Sequence, residues 1–474
     1  MSFDPAAYAA SALSGPLLLV LSAFACLLLP LFFKGLRGAQ GIMALGAVLV
    51  TLTFFSAAPQ AQISFFSGAL LLSPMSAYLW AFAMAVLLFV IALSIARPAA
   101  PEGSEGEFYF LSFMALTGLL VMVAAGDLFT AFIALELLSL PVYALAGIRR
   151  TKPGLEAAYK YFMLGGFGSG MTVMGIAILN ALYPSLSFEA LGSAPAAAQP
   201  LALAGFVLVI SGFAFKTALV PFHMCVPDAY EGAPTQVSAF MAAAVKAGGV
   251  ILLWRLFNAN VHAGGPIIRI FWWLTVITAV FANLAALAQT GLKRLLAYSS
   301  VAHAGYLAVA FFGGERGLEA VLFYLPVYAM ATIGAFSVAL ILEKDEKGPK
   351  IDDLAGLAKT RPWLAAAMAA FMFSLAGIPP LAGFFAKFYA FAAAVNTSYT
   401  SLVVVAVIMS AVSVYYYLRV TVVMYMKPAA NGHEAADAPG LAEAVVFLMA
   451  IGVLVTGVLS RPLLALAAEA SRWF

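Results

Sequence analysis

Apolar residues run along this chain in continuous blocks. Fourteen blocks, at about 16–33, 41–58, 74–96, 108–125, 128–148, 157–183, 201–222, 233–257, 267–289, 294–312, 318–342, 362–393, 399–426 and 441–461, predict about fourteen transmembrane helices. About 20 apolar residues span the hydrocarbon core as a helix. An outer-membrane barrel is excluded, because its strands alternate in hydrophobicity over roughly 10 residues. The expected fold is all-α and polytopic. Two boundaries are soft. Gly126-Asp127 is the sole break between the fourth and fifth helices, and the stretch from Pro221 to Pro234 has room for a short extra half-helix.

Two predicted helices are broken internally. The seventh carries Pro221 and Pro227 around Phe222-His223-Met224, and the twelfth carries Gly377-Ile378-Pro379-Pro380 with Gly383 just after. Proline removes a backbone donor and clashes with the preceding turn. In a bilayer such breaks survive only where protein or a wet cavity satisfies the freed groups. Broken helices at matching places in two halves mark inverted-repeat transporters. Breaks five helices apart predict two inverted five-helix repeats, helices 4–8 in residues 108–258 and helices 9–13 in residues 259–427. Residues 1–107 then hold helices 1–3, and residues 428–474 hold helix 14.

Composition agrees with this class. Of 474 residues, 64% are hydrophobic and 9% charged, against roughly 25% charged in soluble domains. The net charge of +3 comes with no basic stripe, so nucleic acid is not an expected partner. Cys26 and Cys225 form neither a metal spacing nor a disulfide framework. The first apolar block follows no basic region and no cleavage signal, and reads as a retained helix.

Loop charge sets the expected orientation. Odd-numbered loops carry Lys34, Arg37, Arg97, Arg149, Arg150, Lys152, Lys293, Arg294, Lys344, Lys347, Lys350, Lys359 and Arg361. Even-numbered loops carry Arg269 and Arg316, with Arg255 at a helix end. The odd loops should face the cytoplasm, and both termini the opposite, periplasmic side. The longest polar stretch, Glu343 to Arg361, reads as a loop of mixed charge, with no residues for a redox cofactor or nucleotide.

The chemistry lies in ionisable groups inside apolar segments. Glu136 sits in the fifth helix, Lys216 just before the seventh-helix break, Lys246 in the middle of the eighth and Lys387 after the break in the twelfth. Each charge at a helix centre costs roughly 2.5–3.5 kcal/mol on insertion scales. Four would cost on the order of 10 kcal/mol before compensation, which a structural role rarely warrants. Burial favours a neutral amine and a nearby carboxylate favours the charged one. A lysine can therefore toggle as its surroundings move, whereas arginine stays protonated. Glu136 beside Lys216 is expected to form a modulating pair, with Lys246 and Lys387 as later relays. His223 and His303 could bridge them, because imidazole titrates near neutral pH.

Each of these residues also has a bland reading. Glu136 and Lys216 could be a structural ion pair. Lys246 could snorkel to an interface, and Lys387 could cap carbonyls freed by the break. The two histidines could serve packing. Lys160, near a cytoplasmic helix start, could be an interface anchor or a proton-uptake group. Arg419 and Lys427 look like positive-inside anchors. The run Tyr415-Tyr416-Tyr417 reads as aromatic packing, and His262 and His433 in loops receive no role.

At these residues the chain resembles the antiporter-like subunits of respiratory complex I. The likeness rests on Phe215-Lys-Thr-Ala-Leu-Val-Pro-Phe-His-Met-Cys-Val-Pro-Asp-Ala-Tyr-Glu-Gly-Ala-Pro-Thr and on Lys246 about thirty residues after Lys216. It rests also on Leu292-Lys-Arg-Leu-Leu-Ala-Tyr-Ser-Ser-Val-Ala-His-Ala-Gly-Tyr and Leu375-Ala-Gly-Ile-Pro-Pro-Leu-Ala-Gly-Phe-Phe-Ala-Lys-Phe. It covers about residues 100–430. Three features resemble the N-type branch more than the L and M paralogues. They are the Pro-Asp-Ala-Tyr-Glu-Gly-Ala-Pro form, a lysine at Lys387 and the short stretch after helix 14. Cys225 departs from the tryptophan common in the family, which bears on local packing.

The resemblance implies a translocase subunit of the bacterial cytoplasmic membrane. NADH, FMN, iron–sulfur clusters and quinone would sit on other subunits, with M- and K-type subunits and the lipid bilayer as partners. It implies a coupled pair at Glu136 and Lys216, a central relay at Lys246 and an exit-side group at Lys387. Three rivals remain distinguishable. A subunit of a cation/proton antiporter would support Na⁺ efflux, and a hydrogenase-type membrane arm would co-purify with other redox subunits. A structural scaffold would leave pumping intact after all four residues were neutralised.

Overall fold

The computed structural model describes residues 5–33, 38–55, 62–193, 200–261, 265–344, 348–428 and 440–473. Lys34, Arg37, Lys347, His262 and His433 lie outside the described residues. The chain opens with α1 (Pro5–Phe32), α2 (Gln40–Phe55) and a hairpin of β1 (Ile63–Phe65) and β2 (Leu70–Leu72). Next come α3 (Pro74–Ala96), α4 (Glu105–Ala124), α5 (Leu128–Ala146), α6 (Lys152–Leu182) and the short α7 (Phe188–Ser193). The first broken region is α8 (Pro200–Thr217) and α9 (Val226–Gly232), followed by α10 (Thr235–Phe240) and α11 (Lys246–Val261). Then follow α12 (Pro266–Leu287), α13 (Leu292–Phe311), α14 (Glu315–Leu342) and the short α15 (Leu357–Thr360). The second broken region is α16 (Pro362–Ala376) and α17 (Ala382–Asn396). The last helices are α18 (Thr400–Met426), α19 (Gly440–Val458) and α20 (Arg461–Ser471).

Eleven described helices are long and apolar enough to cross a membrane, counting Thr235–Asn260 as one, and Gln40–Thr53 and Pro362–Ala376 are shorter apolar ones. Helix α13 is equally long but is not among the eleven; it carries Lys293, Arg294, His303 and a pair of serines. Local chemistry fixes several starts. Ser73 caps α3 in a reciprocal box with Ser76. The Asp127 carboxylate accepts the Thr130 N–H at 2.8 Å, which separates α5 from α4 at the soft boundary.

Both proline breaks are satisfied from within the protein, as a low-dielectric setting requires. After α8, Ala218 turns into the left-handed region (φ 66°). The Leu219 N–H then bonds back to the Ala214 carbonyl at 3.0 Å, and the Thr278 hydroxyl of α12 accepts the Val220 N–H at 2.9 Å. After α16, Gly377 takes φ 87°, a conformation that costs glycine little. The Gly383 N–H donates to Ser374 Oγ at 3.1 Å. Both breaks carry a cis proline bond, Val220-Pro221 and Pro379-Pro380.

The stretch 235–257 is wholly buried and forms the centre of the bundle, with α14 beside it. Within it, Met241–Val245 makes one π-helical turn directly before Lys246. Such turns are uncommon and concentrate at functional sites. Four elements went beyond the sequence pattern: the β1–β2 hairpin, α7, the amphipathic α20, and the helical turns at Ile351–Leu354 and α15 inside the stretch expected to be loop. All four are too short or too polar to stand out in hydropathy.

Candidate functional site

Four lysines are buried among the described residues, and three of them are the ones expected inside apolar helices. Lys216, Lys246 and Lys387 are 6%, 1% and 5% exposed. Among the described residues none of the three forms an ion pair with a carboxylate.

Lys216, near the end of α8, donates to the Tyr143 hydroxyl of α5 at 2.7 Å. Its amine lies 4.7 Å from the Tyr143 ring centre, 5.6 Å from Tyr161 and 5.4 Å from Phe215. Glu136 is on the same helix as Tyr143, about 10 Å away along the axis. Its carboxylate is half-buried and accepts a 2.5 Å hydrogen bond from Ser169 of α6. Glu136 and Lys216 thus form no direct ion pair: Glu136 contacts Ser169, and Lys216 contacts Tyr143 on the helix that carries Glu136. Gly165 makes this arrangement possible: a Cβ there would lie 1.9 Å from the Tyr143 hydroxyl.

Lys246 begins α11 and donates to the Ser300 carbonyl of α13. Its amine is 5.6 Å from the Tyr328 ring centre. One turn further, Gly249 packs against the backbone of Lys216 and Thr217, so the first two lysines stand on touching helices. His303, three residues after Ser300, packs its ring against Tyr328 at 5.0 Å and Tyr306 at 5.6 Å. Its Nδ1 bonds the Tyr324 hydroxyl at 2.8 Å and its Nε2 the Tyr417 hydroxyl at 3.3 Å. Tyr417 in turn bonds Ser299.

Lys387, in α17, donates to the Ala376 carbonyl at the end of α16 and to Ser410 Oγ of α18, both at 2.9 Å. The first contact is the capping bond expected at a broken helix. The amine also lies 4.8 Å from the Tyr306 ring centre. Tyr306 is held by Asn283, whose amide donates to its hydroxyl at 2.9 Å, while Tyr416 donates to the Asn283 carbonyl oxygen at 2.9 Å. The succession from Lys246 through Ser300, Tyr328, His303 and Tyr306 to Lys387 is lined throughout by hydroxyl, imidazole and aromatic groups.

The remaining expected residues lie apart from this line. His223 sits in the turn between α8 and α9 with its ring against Phe281 at 4.8 Å, and its buried Nδ1 has no hydrogen-bond partner. Lys160 is in an ion-pair cluster, 2.7 Å from Glu156 and 2.9 Å from Asp228. Arg294 reaches Asp228 at 2.7 Å and Glu231 at 3.0 Å, tying α6, α9 and α13 together.

The sequence pattern missed three things here. Tyr416 and Tyr417 are fully buried hydrogen-bonded members of the line, whereas Tyr415 is 63% exposed, so only one residue of that run is mere surface. Lys293, counted as a loop charge, is 0% exposed and donates to the Ala233 carbonyl at 2.8 Å. Asp228 and Glu231 stood in the quoted motif without a role, although their acidic type beside a helix start was a usable signal. Among the described residues no cluster of three His, Cys, Asp or Glu side chains could hold a metal ion.

Comparison with known proteins fits this geometry. The family described as NADH:quinone oxidoreductase/Mrp antiporter, TM, matches residues 125–413. NADH-quinone oxidoreductase subunit N of Chloroflexus aggregans is 38% identical, with 96% of each chain covered. Subunit N of Myxococcus xanthus is 37% identical over 91% of this chain and 90% of its own. Among solved structures, a chain of respiratory complex I from Thermus thermophilus with bound aureothin matches with 34% identity and TM-score 0.83. That match covers 96% of this chain and 99% of the other. An archaeal membrane-bound sulfane sulfur reductase shares the fold with TM-score 0.86 at 24% identity, over 98% and 97% of the two chains. An all-α bundle broken twice by proline, with lysines buried beside both breaks and a match of this breadth, identifies the chain as a member of the NADH:quinone oxidoreductase/Mrp antiporter transmembrane family, in its subunit N branch.

Proposed function

We propose that this chain is the proton-translocating membrane-arm subunit of an NADH–quinone oxidoreductase, and that Lys216, Lys246 and Lys387 carry the protons. NADH oxidation and quinone reduction occur on other subunits, M- and K-type subunits flank this one, and the complex sits in the bacterial cytoplasmic membrane. Charge asymmetry supports a periplasmic position for both termini. The two proline-broken regions support two inverted units, residues 108–258 and 259–427, within about fourteen membrane helices.

The observation that carries the reading is three lysines buried in the helices without carboxylate partners, with polar and aromatic groups between Lys246 and Lys387. Inserting one charge costs roughly 2.5–3.5 kcal/mol. A hydrogen bond to a charged group contributes about 1.5–3 kcal/mol, and a desolvated cation–π contact about 2 kcal/mol. Contacts with neutral oxygens and rings thus offset the insertion cost without a carboxylate. A strong buried ion pair would hold the ammonium form far more tightly than a relay allows. Glu136 then acts on Lys216 at a distance, and a shift of α5 against α8 changes their spacing. His303 connects Lys246 to Lys387. Lys160 and the Asp228 cluster form the cytoplasmic uptake mouth, and His223 has an auxiliary role at the first break.

Lys246→Ala and Lys216→Ala test this in the intact complex. The expected result is loss or strong reduction of NADH-driven proton pumping with assembly preserved. Full pumping by both assembled variants would refute it. Stimulated Na⁺ efflux without NADH would favour the antiporter reading instead.

A further inference from the structure

One feature recurs at all three lysines. Each amine lies against a tyrosine: Lys216 beyond the hydroxyl of Tyr143, 2.7 Å from the oxygen and 4.7 Å from the ring centre, Lys246 over the Tyr328 ring at 5.6 Å and Lys387 over the Tyr306 ring at 4.8 Å. The other partners are neutral oxygens: a hydroxyl, a carbonyl, and a carbonyl with a hydroxyl. A ring face attracts a cation electrostatically without being able to take its proton, and the attraction grows when water is excluded. A carboxylate so close would hold the ammonium form far more tightly.

The rings are held in place by the surrounding packing. Gly165 leaves room for the Tyr143 hydroxyl, and Tyr161 and Phe162 meet that ring edge-on at 4.7 and 5.9 Å. Tyr306 is fixed through its hydroxyl by the chain Tyr416, Asn283, Tyr306, so that its face is left to Lys387. Tyr328 packs against His303 with the two rings tilted by 38°.

We infer that Tyr328 and Tyr306 through their ring faces, and Tyr143 through its hydroxyl, are positioning residues that stand in for counter-ions and set the protonation balance of the three lysines. This rests on the proton-carrying role proposed above. The Lys387 site is the cleanest to test, because the Tyr306 hydroxyl is engaged elsewhere and only the ring meets the amine. The titratable groups around Lys387 are Tyr306 and His303 from α13, with Tyr324 of α14 and Tyr417 of α18 behind His303. Helix α16 gives a carbonyl and no ionisable side chain. Helix α19 carries a single acid, Glu443, in its first turn, about 20 Å along the axis from the Gly457 end that packs on α17.

The experiment compares Tyr306→Phe with Tyr306→Leu in the assembled complex, reading the pH profile of NADH-driven proton pumping. The phenylalanine keeps the ring and should keep the wild-type profile. The leucine removes the face and should displace the profile by about one pH unit, a roughly tenfold change in the protonation balance. Lost packing alone would lower the amount of complex without moving the profile. Wild-type profiles in both variants, or equal displacement in both, would overturn the inference. Should Tyr306→Leu fail to assemble, Tyr328→Leu against Tyr328→Phe gives the same reading at Lys246. Lys387→Ala separates the two levels: full pumping there sinks the lysine relay, whereas a pumping defect there with an unmoved Tyr306→Leu profile sinks only the role of the rings.

Discussion

Gly165→Ala is the smallest change that reaches the centre of the first site. The new methyl would stand 1.9 Å from the Tyr143 hydroxyl and 2.5 Å from Cζ. Ordinary contact begins at 3.4 Å, so the phenol must retreat by about 1.5 Å. That exceeds the roughly 0.5 Å range over which such hydrogen bonds persist, and the bond at stake is the 2.7 Å one to Lys216. Lys216 has little room to follow, because Tyr161 and Phe215 flank its amine. A hydrogen bond to a charged group is worth about 1.5–3 kcal/mol, so the balance between protonated and neutral Lys216 should move by roughly tenfold to a hundredfold. The neighbouring Gly166→Ala is the control: its Cβ meets nothing within 4 Å. Both substitutions gain up to about 1 kcal/mol of helix propensity, so any difference between them comes from the collision. Proton pumping per NADH oxidised, measured in sealed vesicles, should fall at least several-fold in Gly165→Ala and stay at wild type in Gly166→Ala. Oxidation of NADH by a soluble acceptor serves as the assembly check. Equal pumping in the two assembled variants would show that the Tyr143 contact carries no functional weight.

Two further predictions concern the frame. Gly383→Ala would place a methyl 1.8 Å from the Ser374 carbonyl oxygen, which is backbone and cannot rotate away; overpacking of this kind costs about 1–3 kcal/mol or more, so the amount of assembled complex on native gels should drop sharply, and normal assembly would contradict the packing of the second break. Glu343 is 1% exposed in its side chain, pairs with Arg149 at 2.7 Å and accepts from Thr235 at 2.6 Å; Glu343→Ala strands the guanidinium and should cost about 3 kcal/mol, read as earlier thermal unfolding in detergent with pumping per turnover unchanged in what survives, and an unshifted melting curve would reject that pair as a support of the fold.

Much of the architecture was legible because membrane insertion is priced residue by residue. All fourteen apolar blocks overlap described helices, including the pair α16 and α17 inside one block, and both breaks fall where glycine and proline predict them. The three lysines were legible for the same reason: a charge inside an apolar run is conspicuous without any knowledge of its neighbours. The hairpin, α7 and α20 were not, since short or amphipathic elements leave no such mark.

Partners, by contrast, depend on how each helix is rotated and which helix lies beside it. Nothing in the run around Glu136 tells that Ser169 will meet it while Tyr143, two turns on, meets Lys216. Tyrosine is the extreme case, because one side chain offers an apolar ring and a polar tip. Tyr415 spends both on the surface while Tyr416 and Tyr417 bring theirs inside. Lys293 likewise reads as a loop charge until α13 carries it against the Ala233 carbonyl. The sequence by itself determined that charges are buried here and roughly at what depth; the tertiary structure decided what each charge faces, because that choice is made by contacts between residues distant along the chain.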